Sequence, residues 1–317
     1  MEKVALLFPG QGAQSPGMCG EVLEDFDAAA KVMDRADAAV DVPLREICAE
    51  GPEEKLNRTD VSQPAMLSVS MAVLQAVRSR GGDVSSDRVA GAAGLSLGEY
   101  SALCAAGGLE LEDAVRLVRR RGEYMQDACD ANPGTMYSIL ALDDEEVEQV
   151  CREVREEHDG SVWPANYNCP GQVVISGDVD AAERAAELCE ERGARRAIQL
   201  SVAGAFHSPF MEPAADKLKQ ELDAADMDAP EYPVVSNVAG EPGGEPDEIR
   251  NLLHRQLTSP VRWAQCMEWF LDRGVTRFYE VGPGRVLRGL LRRIDRDAEC
   301  VNVRDADGVQ KMAEDLS

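Results

Sequence analysis

No C-x-x-C pair occurs in this 317-residue chain, histidines number only three, and 33 basic residues fall well short of 58 acidic ones. Long apolar runs are also missing. Met1-Glu2-Lys3 is followed by five apolar residues and then Pro9-Gly10, too short a run for a signal peptide or a membrane span. The most apolar window, Ala90 to Leu109, is interrupted by glycines and by Glu99. An unexported protein of the cytosol, with no membrane contact, is therefore expected. The nine cysteines lie far apart at Cys19, Cys48, Cys104, Cys129, Cys151, Cys169, Cys189, Cys266 and Cys300. Their odd number and wide spacing argue against a disulfide framework and a zinc site, and for cysteine as a small core residue in a reducing compartment. A formal charge of −25 supplies no basic field to steer nucleic acid in. An acidic protein partner would have to find a local basic patch.

With 44% hydrophobic residues, the chain can bury a large core as one big domain or two unequal ones. There is no internal repeat or low-complexity segment. Val4 to Phe8 reads as a strand running into the turn Pro9-Gly10-Gln11-Gly12, and a helix is expected over Glu21 to Ala39. Ser62 and Pro64 open another helix, with Met66, Val69, Val73 and Val77 at helical spacing. Arg88 to Gly94 is a small-residue strand. From Thr135 to Leu200 the elements follow the order βαββαβ, a ferredoxin-like pattern. The reading is α/β: residues 1–132 and 201–317 form one large unit, interrupted by a small unit at 133–200. Helices near Glu245 to Leu257, Arg262 to Arg273 and Arg285 to Arg296 complete it, with strands near Thr276 to Glu280 and Cys300 to Val303.

The chemistry begins at Gly94-Leu95-Ser96-Leu97-Gly98. A G-x-S-x-G between a strand and a helix is a nucleophile elbow, in which glycines relieve clashes and the following helix aims backbone N–H groups at a developing oxyanion. Serine needs a base. His158 ends an acidic helix and reads as solvated, and His254 stands beside Arg255. His207, in Ala205-Phe206-His207-Ser208-Pro209, precedes a helix with Ser208 as its cap and Pro209 as its first residue. The positive end of that helix would keep the imidazole neutral. Among Arg116, Arg119, Arg120 and Arg121, only Arg121 has Leu117, Val118, Tyr124 and Met125 as helical neighbours, which places it on the apolar face. A buried cation needs a partner. Two readings stand: a structural salt bridge to a core carboxylate, or a bidentate clamp for a substrate carboxylate.

Seven blocks in order then resemble one family over nearly the whole chain: Phe8 to Gln14, Gln63-Pro64-Ala65, Gly94 to Tyr100, Arg121-Gly122, Asn166-Tyr167-Asn168 with Pro170-Gly171-Gln172, Ala205 to Ser208, and Glu280 to Gly284. The chain resembles the bacterial malonyl-CoA:acyl-carrier-protein transacylases and the related acyltransferase domains of polyketide and fatty-acid synthases. The resemblance implies an α/β-hydrolase-like large subdomain and a ferredoxin-like small one. It implies Ser96 as nucleophile, His207 as base, the N–H groups of Gln11 and Leu97 as oxyanion hole, and Arg121 as carboxylate anchor. It further implies that the Gln256 carbonyl orients the histidine in place of a triad acid, and that Gln63 and Asn166 line the cleft, although helix capping or turn support would explain those two equally. Phe206 would crowd the substrate α-carbon, since malonyl-selecting synthase domains carry Ala-Phe-His here and methylmalonyl-selecting ones often Ala-Ser-His. The implied reaction is ping-pong transfer from malonyl-CoA to the phosphopantetheine of an acyl carrier protein for fatty-acid synthesis, by a monomer, with no metal or redox cofactor.

Two departures stand out. Leu95 occupies a position where many members have His, and Tyr137 one where a small residue is common, which bears on pocket width. A serine esterase or thioesterase would need a triad acid, and the candidates Asp143, Asp144, Asp178 and Asp180 all fall at helix starts in the insert. A non-catalytic carrier-binding subunit would show a broken elbow or no base, and both are present. Arg285, Arg288, Arg292 and Arg293 on one helix are the candidate carrier-docking patch, with an ordinary solvated face as the alternative.

Overall fold

All five residues of Val4–Phe8 (β1) are buried, as a strand covered on both faces requires. A computed structural model describes residues 3–157 and 161–317, so His158 lies outside the described residues. After β1 come α1 (Gly20–Asp25), α2 (Asp27–Ala39), α3 (Leu44–Glu50), α4 (Glu53–Asn57) and α5 (Thr59–Ser79), then β2 (Val89–Gly94), α6 (Leu97–Ala105) and α7 (Leu111–Ala131). The chain continues through β3 (Thr135–Leu140), α8 (Asp144–Glu157), β4 (Val162–Cys169), β5 (Gln172–Gly177), α9 (Val179–Glu191) and β6 (Arg196–Gln199). A 3-10 turn (Pro209–Met211) leads to α10 (Glu212–Ala224), β7 (Val234–Val235), α11 (Pro246–Gln256), α12 (Trp263–Leu271), β8 (Arg277–Val281), α13 (Val286–Ile294), β9 (Glu299–Val303) and α14 (Ala306–Asp315).

The first sheet has the order β7-β2-β1-β8-β9, every pair parallel, so crossover helices cover it. The second has the order β4-β5-β3-β6, every pair antiparallel, which is the ferredoxin-like arrangement of a βαββαβ unit. The fold is α/β, a hydrolase-like parallel sheet carrying a smaller antiparallel one. Reciprocal backbone bonds tie β4 to the segment before α12: Tyr167 N–H to the Val261 carbonyl and Val261 N–H to the Ala165 carbonyl, both 2.8 Å. Among the described residues no helix is long and apolar enough to cross a membrane. All nine cysteines are free thiols, and all but the half-buried Cys104 are buried.

Strand alternation settles where Tyr137 points. It packs with Ile139 in the cluster under α8 and α9, and burial followed by the charges of Glu183 and Glu187 pushes its phenol up. Its neighbour Met136 joins the cluster containing Phe206 and Met125. Tyr137 therefore leaves pocket width alone, contrary to expectation, because odd positions of β3 face the helices.

The helix expected over Glu21 to Ala39 is two helices, broken where Phe26 is extended (φ −127°, ψ 102°) and buried. The helix expected at Ser62 begins at Thr59 instead, which leaves Pro64 inside it. A proline in a helix interior frees the carbonyl four residues back, here that of Asp60. Arg119 of α7 answers it, donating through Nη1 to the Asp60 carbonyl (2.5 Å) and to its carboxylate (2.9 Å). The contact depends on a close helix crossing at Gly122, where a Cβ would sit 2.5 Å from the Thr59 carbonyl oxygen. Arg119→Ala is expected to cost about 1.5–3 kcal/mol, as for a hydrogen bond to a charged group. Arg116→Ala, whose pair with Asp113 is exposed on both sides, should cost about 0–1 kcal/mol. Urea unfolding of the two variants decides; equal costs would mean that the Asp60 carbonyl does not need Arg119.

Candidate active site

Ser96 links β2 to α6 in a positive-φ conformation (φ 52°, ψ −102°), a strained backbone for any residue with a side chain. Its surroundings hold it there. A Cβ on Gly94 would lie 1.8 Å from the Gly98 carbonyl carbon, and one on Gly98 would lie 2.1 Å from the Phe8 oxygen, so only glycine fits at either position. Asn237 pins both sides of the turn, accepting from the Ser96 N–H (2.6 Å) and donating to the Gly94 carbonyl (2.8 Å). Leu95 donates its N–H to the Phe8 carbonyl (3.1 Å), and its side chain packs on the cluster holding Val261, Trp263 and Leu287. The loop after β1 lies against the elbow, since a Cβ on Gly10 would be 2.4 Å from the Leu95 oxygen. This places Gln11 beside the turn that leads into Leu97, the first residue of α6.

His207 shares the positive-φ condition (φ 57°). Its Nε2 is 2.9 Å from Ser96 Oγ, and its Nδ1 is 2.8 Å from the Gln256 carbonyl oxygen. A carbonyl only accepts, so Nδ1 carries the proton and Nε2 is free to accept the serine O–H. Burial first, and the Arg121 charge second, lower the His207 pKa to about 4. Ser208 is not a side-chain cap as expected. Its hydroxyl donates to the Ala205 carbonyl (2.7 Å), because the chain enters a 3-10 turn before α10 begins. The position a triad acid would take is filled by the Gln256 carbonyl. Asp178 instead caps α9, accepting from the Ala181 N–H at 2.8 Å.

Arg121 is almost fully buried (1% exposed) and reaches the same point. It donates to Gln63 Oε1 (2.7 Å), Ser96 Oγ (3.0 Å) and Gln256 Oε1 (2.9 Å), and stands 5.4 Å over the Tyr100 ring. All three oxygens are neutral, and among the described residues neither Nε nor the nearby Tyr100 hydroxyl makes a well-formed hydrogen bond. Neither Gln63 nor Asn166 is a helix cap. Gln63 holds Arg121, and Asn166 lies on β4 at its bridge to Val261. Phe206 is buried beside His207. Two residues without a role in the sequence reading complete the network. Asn237 carries no local motif. Glu99, the acid interrupting the most apolar window, accepts from the Gln256 side chain (2.7 Å) and the Asn237 N–H (3.0 Å). Burial pushes its carboxyl up to about 7.

Residues 5–315 match the family model described as the acyl transferase domain. The chain is 44% identical over 316 residues to a malonyl CoA-acyl carrier protein transacylase of Bacillus subtilis, covering 100% of this chain and 98% of that one. It resembles the crystal structure of an acyl-carrier-protein S-malonyltransferase from Bartonella henselae at a TM-score of 0.95 and 41% identity, covering 99% of each chain. A malonyl-transacylase solved in complex with its type II PKS acyl-carrier protein matches at a TM-score of 0.94 and 39% identity, over 99% of this chain and 100% of that one.

The lowered His207 pKa sets a pH expectation. The reactive form is the neutral ring, which persists until pH falls toward about 4. Inactivation of Ser96 by an uncharged fluorophosphonate should therefore hold steady from pH 8 down to about 5 and drop only below that. A half-maximal point near the ordinary histidine value of about 6.5 would show the ring to be solvated rather than buried.

Proposed function

This chain belongs to the acyl transferase domain family, and we propose that its Ser96, His207 and Arg121 together carry the malonyl transfer of that family. The protein moves a malonyl group from malonyl-CoA to the phosphopantetheine thiol of an acyl carrier protein, without a cofactor of its own. His207 Nε2 takes the Ser96 proton as Oγ attacks the thioester carbon. The N–H groups of Gln11 and Leu97 receive the oxyanion. The C–S bond breaks, CoA leaves with the proton from His207, and the malonyl group stays on Ser96 as an ester. The pantetheine thiol then gives its proton to His207 and attacks that ester, the acyl–Oγ bond breaks, and Ser96 Oγ takes the proton back from His207. The Gln256 carbonyl holds the ring in the working tautomer without a carboxylate. Phe206 crowds the α-carbon of the acyl group, and Asn166 borders the cleft under the small subdomain of residues 133–200.

The observation that carries this reading is Arg121, a buried cation 3.0 Å from Ser96 Oγ that among the described residues has no carboxylate in contact and no well-formed hydrogen bond at Nε. Nε and Nη2 form one edge of the guanidinium, the geometry for a bidentate carboxylate. The free carboxylate of malonyl fits that edge by pairing with Nε and replacing the Ser96 Oγ contact of Nη2 once that oxygen is acylated, and an acetyl group leaves Nε unpaired. Labelled malonyl-CoA without acceptor should leave stable label on the protein and none on Ser96→Ala; release of free malonate would mean a hydrolase. Losing a charge-assisted partner costs about 1.5–3 kcal/mol. Arg121→Ala should thus cut malonyl transfer at least about tenfold and spare acetyl transfer, whereas equal losses would mean that the arginine only supports the fold.

The carrier protein docks, on the same reading, at α13. Arg285, Arg288 and Arg292 line a concavity of about 580 Å³ together with Arg296, Arg304 and Lys311, with Glu299 and Asp305 as its acids. Glu280 fixes this helix by accepting from the Leu287 and Arg288 N–H groups (3.0 and 2.9 Å). Arg293, expected in the patch, faces away from it. It donates to Gln172 Oε1 (2.6 Å) and to the Pro170 (3.1 Å) and Gly171 (3.3 Å) carbonyls, bracing α13 against the β4–β5 turn. On a chain of net charge −25 such a cluster offsets the repulsion of an acidic partner locally. The double variant Arg288→Glu, Arg292→Glu should raise KM for the carrier and leave KM for malonyl-CoA alone; an unchanged carrier KM removes this helix from the docking model.

A further inference from the structure

Arg121 holds a positive charge in the core while its direct partners are the neutral oxygens of Gln63, Ser96 and Gln256. An uncompensated buried cation is costly, so the compensation has to come from one shell further out. Only one amide separates it from a carboxylate. Gln256 accepts from Arg121 Nη2 through Oε1 (2.9 Å) and donates through Nε2 to Glu99 (2.7 Å). Its dipole thus lies between cation and acid with the favourable sign at both ends. The same Nε2 donates to the Ser96 carbonyl (3.1 Å), and the Gln256 backbone carbonyl holds His207. The group that links the two charges therefore also orients the base and the elbow.

The surroundings of Glu99 isolate this pair. Arg121 comes from α7, Tyr100 from α6, Cys266 from α12, and the Ser236 and Asn237 donors follow β7. Burial pushes the Tyr100 phenol up to about 12 and the Cys266 thiol well above its ordinary value. His207, across Gln256, is neutral above about pH 4. Arg121 is the only one of these groups that is charged near neutral pH.

We propose that Glu99 is the resident counter-charge of Arg121, coupled to it through the Gln256 amide, and that the malonyl carboxylate takes over this role on loading while Glu99 accepts one proton from solvent. One cation facing two carboxylates and one added proton is neutral overall. An acetyl group brings no second carboxylate and draws no proton. Burial, which already raises the Glu99 carboxyl to about 7, makes the exchange possible near neutral pH. Glu99 is in this sense a positioning residue that makes the Arg121 site selective for an anionic acyl group, and the inference rests on Arg121 as the malonyl anchor.

Proton uptake on binding means that KM for malonyl-CoA rises with pH above the Glu99 pKa, by up to about tenfold per pH unit. Wild type should show this limb between about pH 7 and 8.5. Glu99→Gln, which keeps the amide-sized acceptor but has no charge to neutralise, should show a flat malonyl KM, and acetyl-CoA should show no limb in either protein. A second measurement needs no variant. At about pH 7.5, where released CoA stays mostly a thiol, an indicator dye in weak buffer should report more than about half a proton consumed per malonyl-enzyme formed. The same limb in wild type and Glu99→Gln, or no proton uptake by wild type, overturns the proposal. If Arg121→Ala is selectively poor with malonyl while the wild-type malonyl KM ignores pH, the counter-charge role falls and the anchor stands. Equal losses for malonyl and acetyl in Arg121→Ala bring down both.

Discussion

A guanidinium carried into an apolar core must be given hydrogen-bond acceptors, and the acceptors around Arg121 come from parts of the chain far apart in sequence. Gln63 lies on α5, Ser96 at the elbow and Gln256 at the end of α11. They can converge because α7 crosses α5 closely at Gly122 and because α11 ends where its last side chain reaches Ser96 and its last carbonyl reaches His207. The residue that holds Arg121 also orients His207 and touches Glu99. Arg121, His207 and Glu99 are thus one network, in which moving any member leaves another buried polar group unpaired.

The proposed nucleophile and base share a backbone condition. Ser96 and His207 both sit at positive φ, and such strain persists only where the surroundings over-determine it. At Ser96 the restraint is the Gly94–Gly98 contact and the Asn237 clamp; at His207 it is the Gln256 carbonyl on one side and the serine on the other. Using a carbonyl where a hydrolase uses an acid leaves the imidazolium without a negative neighbour. The Arg121 charge beside it disfavours that state further. This fits a dyad that keeps the ring neutral between turnovers.

Much of the site could be read in the sequence because its parts are locally encoded. The elbow is five residues with fixed glycines, His207 alone of three histidines precedes a helix start, and Arg121 lies on the apolar stripe of a strongly periodic helix. The order βαββαβ was legible for the same reason, since each element carries its own period. What escaped was set by contacts between distant segments. Asn237 has no local signature and gains its part only when β7, two residues long, pairs with β2. Pro64 reads as a helix opener because no sequence pattern announces that Arg119 will satisfy the Asp60 carbonyl. Arg293 shares a helix with Arg292 yet serves another purpose, because the β4–β5 turn offers it three oxygens.

Both anionic substrates approach a chain of net charge −25, so its long-range field opposes the encounter. That field is screened within about 8–10 Å at physiological ionic strength, which leaves short-range cations to decide what binds. They come in two kinds. The arginines of the α13 concavity are exposed and remain subject to the same screening, so they suit transient docking. Arg121 is dry, where a charge interaction is several-fold stronger than at the surface, so discrimination between acyl groups belongs there. On the proposed reading, selectivity and docking are separated by burial, one cation in the core suited to deciding the acyl group and a wet cluster suited to receiving the carrier.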